Sequence, residues 1–102
     1  MSQFSIEVGF ISKLLETKDM TAVKDSQIKP FYFTGEHRKA YQFICDSFVA
    51  DGEVPTVRAF ERKFPQYTLE TVEVEGVEKV GTEESLKYWC NEIRKKVKHN
   101  SL

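Results

Sequence analysis

The sequence predicts a mainly α domain: a compact orthogonal bundle of about five helices carrying a small β-hairpin or loop insert. Three observations predict it. Apolar residues recur at helical spacing in successive segments, Pro30, Gly52 and Pro65 interrupt them, and a short stretch around Gly76 alternates valine with glutamate. At 102 residues the chain has the usual length of one domain and room for one modest core. Aromatics make up 13% of it, so Phe and Tyr are expected to supply much of that core.

Phe4, Val8, Ile11 and Leu15 share a face that Phe10 and Leu14 widen, which predicts an amphipathic helix from Ser5 to Thr17. Gly9 weakens it locally, but a missing side chain there would let a neighbouring helix approach. Asp19 is placed to cap a short helix carrying Met20 and Val23, which must end before Pro30. Pro30-Phe31-Tyr32-Phe33 then forms an aromatic hinge whose rings are expected to pack inward. Thr34 is the candidate N-cap of the next helix, with Glu36 in its first turn. His37, Tyr41, Ile44 and Phe48 line one face of that helix, with Ala40, Phe43, Cys45 and Val49 beside them. Asp51-Gly52 ends it, glycine suiting the left-handed turn that follows a helix.

Pro55-Thr56 opens a further helix with Val57, Phe60 and Phe64 facing inward, and Pro65 stops it. Residues 66–81 form an acidic insert in which Val72 and Val74 alternate with glutamates, as in a short strand, a hairpin or a solvated loop. Thr82, Glu83 and Glu84 begin the last helix, whose stripe is Leu86, Trp89, Cys90, Ile93 and Val97. Arg94, Lys95, Lys96 and Lys98 sit at its C-terminal end, where the helix dipole favours cations. The chain thus divides into a helical head, 1–81, and a C-terminal helix, 82–102, within a single domain.

The net charge of −1 excludes general capture of nucleic acid, which requires many cations against phosphate. No run approaches the roughly 20 apolar residues of a membrane span, and Met1 to Phe10 lacks the basic start of a signal peptide. Cys45 and Cys90 suit small apolar packing in a reducing cytosol better than a disulfide framework. Phosphate-cradling glycine motifs, H-E-x-x-H and paired C-x-x-C are all missing, so no cofactor or metal is expected. His37 and Cys45 lie eight residues apart on one helix, about 12 Å along its axis, too far for a nucleophile and its base. The plainer reading of His37 is a ring laid against the aromatic hinge. Phe31-Tyr32-Phe33 lacks the interleaved basic residues of a base-stacking platform and reads as core. Trp89 likewise reads as core, although tryptophan is also a common interface anchor.

Tyr32-Phe33 followed by Glu36-His37-Arg38 and Ala40-Tyr41 resembles the start of the central helix in the amino-terminal domain of DnaB-type replicative helicases. Gly52-Glu53-Val54-Pro55-Thr56 resembles that family's glycine-led turn into its next short helix. Leu86 to Arg94 resembles the segment that leads into its helical hairpin. The resemblance spans roughly Ile6 to Lys98. It departs in the long 66–81 insert, which suggests a phage-encoded branch, and in stopping where the rest of the hairpin and the ATPase domain should follow. The resemblance implies a fragment of a longer cytoplasmic helicase that is itself non-catalytic. Such a domain forms a collar on a hexameric ring and docks DnaG-type primase or a helicase loader. Arg94, Lys95 and Lys98 are the candidate partner-binding residues. Tyr32, Phe33, His37, Arg38, Tyr41, Ile44, Phe48 and Trp89 are the structural motif.

Two other classes compete with this reading. One is a small DNA-binding module presenting Arg58, Arg62 and Lys63, with Glu61 interrupting the set. The other is a free-standing adaptor or inhibitor of a host replication protein.

Overall fold

The computed structural model describes residues 4–100, with side chains described for residues 6–97. Five α-helices and one hairpin follow in the order the sequence predicts: α1 (Phe4–Thr17), α2 (Met20–Asp25), a single 3-10 turn (Pro30–Tyr32), α3 (Gly35–Asp51), α4 (Val57–Lys63), β1 (Thr71–Val74), β2 (Val77–Val80) and α5 (Leu86–Asn100). None of these helices is long and apolar enough to cross a membrane.

Helix α1 is the centre of the molecule, with α5 packed along it, α3 on another side and β2 over its C-terminal half. Its face of Phe10, Ile11, Leu14 and Leu15 is fully buried. The close approach of α5 depends on Gly9, as its lack of a side chain suggested. A Cβ at that position would press against the Trp89 ring, only 2.6 Å from Cζ2.

Helix α2 begins where Asp19 accepts the Ala22 amide, so the expected cap is present, and Met20 and Val23 turn inward. Gly52 takes the left-handed conformation after α3 (φ 78°). Thr56 caps α4 by accepting the Ala59 amide, and Phe60 is fully buried beneath it.

Residues 71–80 form an antiparallel hairpin, with Thr71 opposite Val80 and Val74 opposite Val77. Glu75 (φ 52°) and Gly76 (φ 81°) make the two-residue turn, whose positive φ values match the twist of a tight hairpin. The hairpin is anchored on α1, where the buried Ser12 hydroxyl accepts the Glu70 amide at 2.8 Å.

Four expectations are corrected. Phe31 is 66% exposed, because a 3-10 turn cannot send three successive rings inward. Val49 is 79% exposed on the outer side of α3. Thr34 precedes α3 but makes no side-chain cap, its hydroxyl being drawn to another helix. Thr82 does not start α5. Ser85 does, accepting the Tyr88 amide, while Thr82 is buried and accepts the Trp89 indole N–H at 2.8 Å.

Candidate functional site

The aromatic hinge is built as a joint. Phe33 and Tyr41 stack with ring centroids 4.6 Å apart, and Phe10 meets both at 5.3 and 5.6 Å. The Tyr41 hydroxyl donates to the Ile28 carbonyl at 2.7 Å, which ties the chain before the hinge to α3. The Arg38 guanidinium donates to the Phe33 and Phe31 carbonyls and so holds the hinge against the first turn of α3. Ile44 is buried on the same helix. Phe48 is half-buried beneath the Lys24 ammonium, which lies 4.8 Å from its centroid.

At the foot of this joint lies a buried ionic contact. Glu7 of α1 is only 1% exposed. Its carboxylate accepts the Thr34 amide at 2.7 Å and the Thr34 hydroxyl at 3.0 Å, and it faces the Lys96 ammonium at 3.5 Å. Lys96, its side chain 8% exposed, also donates to the Tyr32 carbonyl at 3.2 Å. One acid and one base therefore clamp α1, the hinge and α5 together. Sequence reasoning missed both residues, although a signal existed. Glu7 lies at helical spacing from Ile11 and Leu14, and Lys96 lies three residues after Ile93, so each is a charge on an apolar face.

His37 is buried, as a helix-start histidine packed on aromatics should be, and its ring meets Tyr67 edge to face. His37 Nδ1 and Tyr67 Oη lie 2.7 Å apart. Burial raises the Tyr67 phenol well above its ordinary range, and the nearby charges of Glu7 and Glu36 push the same way. The phenol is thus held neutral, a hydrogen-bonding post and not a base. Val8, Thr34, Glu36 and Gln66 line an open groove of about 770 Å³ beside the pair. Burial likewise raises the thiols of Cys45 and Cys90 and disfavours the reactive thiolate. Among the described residues, no group of three His, Cys, Asp or Glu side chains gathers to hold a metal ion.

The basic end of α5 splits in two. Arg94 and Lys95 are exposed, Lys95 pairing with Glu92 at 3.3 Å, whereas Lys96 turns inward. The Lys98 side chain lies outside the described residues. Trp89 is buried against Gly9 and Thr82, as core. On α4, Arg58, Arg62 and Lys63 are all exposed.

The motif residues Tyr32, Phe33, Arg38 and Tyr41 are therefore brought together, but as architecture. The partner-binding candidates Arg94 and Lys95 are exposed on α5. No family model, no curated protein and no solved structure matches this chain.

Proposed function

We propose that this chain is a non-catalytic interaction domain from the amino-terminal part of a DnaB-type replicative helicase, which assists collar assembly and docks a DnaG-type primase or a loader. The observation that carries this reading is the construction of the hinge. Phe33, Arg38 and Tyr41, which bear the family resemblance, make inward stacking and backbone contacts. Residues so engaged hold a scaffold together and leave outward-facing side chains to meet partners. The helical order and the hairpin-bearing insert are compatible with a phage-encoded branch of that family. Holding primase beside the ring would raise its effective concentration at the emerging strand without any chemistry in this domain.

Calorimetric titration with the primase encoded in the same genome tests the reading. Binding is expected, and R94E/K95E should weaken it by about tenfold or more, the equivalent of one charge-assisted contact. An absence of binding to both primase and loader overturns the docking role.

A DNA-binding module is the second reading, favoured by the exposure of Arg58, Arg62 and Lys63 along α4. Titration with single- and double-stranded oligonucleotides separates the two. Micromolar, salt-sensitive affinity would favour the DNA module.

A further inference from the structure

β1 pairs with β2 on one side, and its other edge carries no strand. The Gly81 amide donates to the Glu70 carbonyl at 3.0 Å, and the bonds of an antiparallel ladder fall on alternate residue pairs. Val72 and Val74 therefore direct their N–H and C=O groups at β2, while Thr71 and Glu73 turn theirs outward along the open edge. No group of the described residues meets them there. The edge is fixed at its start, where the Glu70 amide donates to the buried Ser12 hydroxyl.

A groove of about 790 Å³ follows that edge. Every residue of β1 lines it and none of β2 does, with residues 81–84 and Tyr88 completing the lining. All its charged side chains are glutamates, namely Glu16, Glu70, Glu73, Glu83 and Glu84, and all are exposed. Lys13 answers Glu16 at 2.9 Å, whereas the other four pair with no cation among the described residues. Burial, with the charge of Glu84 adding to it, raises the Glu70 carboxyl, so a cation arriving beside it offsets that repulsion.

We propose that the open edge of β1 takes up an extended, lysine- and arginine-rich segment of another protein as a third strand. Main-chain bonds to Thr71 and Glu73 hold it, and the glutamates select its sequence. Side chains of a strand alternate between faces, and Glu70 and Glu73 lie on opposite faces of the ribbon. Successive basic residues of the guest can therefore meet one each. Tyr88, 43% exposed, offers its ring to their aliphatic stems and cationic heads. The same glutamates repel a second acidic hairpin, which guards the edge against pairing with its own kind. The inference does not rest on the helicase reading.

The test is fluorescence polarisation with a labelled, acetylated hexapeptide of alternating lysine and arginine. Two competitors accompany it: spermine, and the same peptide N-methylated on every amide, which keeps the charges and removes the strand's donors. The plain peptide is expected to bind in low salt and weaken as salt rises. The methylated peptide and spermine should bind more weakly by about tenfold or more, and so should the plain peptide to E70Q/E83Q/E84Q with an unchanged thermal transition. In the bound state the Thr71 and Glu73 amides should exchange with solvent more slowly, because a guest strand now accepts them. If the triple variant does not fold, the peptide series on the unaltered chain still decides. The proposal is overturned by a plain peptide that does not bind in low salt, or by methylated peptide or spermine binding as well as it does. Affinity that the folded triple variant leaves intact overturns it too, as does unaltered exchange at Thr71 and Glu73 on saturation.

Discussion

The joint where α1, the hinge and α5 meet and the hairpin at residues 71–80 are built from similar residue types and put them to opposite use. In the joint, the Glu7 carboxylate accepts two hydrogen bonds from Thr34 and faces Lys96, out of reach of water. In the hairpin, Glu73 and Glu78 face each other in solvent, and the valines beside them are half-open. A charge with donors around it becomes a clamp, whereas the same charge opposite its like only weakens the ladder it sits on. The joint is therefore expected to carry the domain's stability, while the hairpin carries little.

Alkali should strike the joint hardest. The Tyr41 phenol, stacked in the hinge, is raised far above its ordinary value of 10.0 by burial, with Cys45 adding to it, and Tyr67 is raised in the same way. In the unfolded chain both ionise near pH 10. Folded, they hold their protons, so stability is unaffected below that pH and falls as pH rises above it. Spectrophotometric titration should show Tyr41 and Tyr67 ionising only as the fold is lost. Ionisation of every tyrosine near pH 10 with the helical signal intact would refute their burial.

Phe33→Ala empties the centre of the stacked cluster and should cost about 3–5 kcal/mol in denaturant unfolding. Lys96→Met leaves Glu7 buried without its cation and should cost about 3 kcal/mol, with E7Q/K96M recovering part of it. A double-variant loss equal to the sum of the separate E7Q and K96M losses would show that the pair is not coupled. Gly9→Ala drives a methyl group into the Trp89 ring and should cost about 1–3 kcal/mol, read as a lowered thermal midpoint. Glu73→Thr removes one member of the like-charge pair and should change stability by no more than about 0.5 kcal/mol, in the stabilising direction. A large loss there would mean that the hairpin belongs to the core and would erase the contrast between the two regions.

Much of this division was legible along the chain. Asp19, Gly52 and Thr56 do what their positions predict because capping and left-handed turns are settled within four residues. The valine alternation around Gly76 suited a strand, a hairpin or a solvated loop alike, and the structure forms the hairpin. Thr34 and Thr82 looked equally like caps and are not, because Glu7 and Trp89 offer their hydroxyls partners from distant parts of the chain. Tyr67, which hydrogen-bonds to His37, lies thirty residues away, beyond any local pattern. Of the candidate partner-binding residues, the basic run at the end of α5 was visible, but not the inward turn of Lys96 that divides it.

By itself the sequence determined the mainly helical class, the order and ends of most elements, and the apolar faces that became the core. Periodicity, caps and turn residues act over a few positions, so they can be read without knowing the fold. Only the tertiary structure decided which charges are buried clamps and which stay on the surface, and which aromatic of the hinge is left outside. Those outcomes depend on what another helix brings to within about 3 Å, the reach of a hydrogen bond, and spacing along a single chain does not encode that distance.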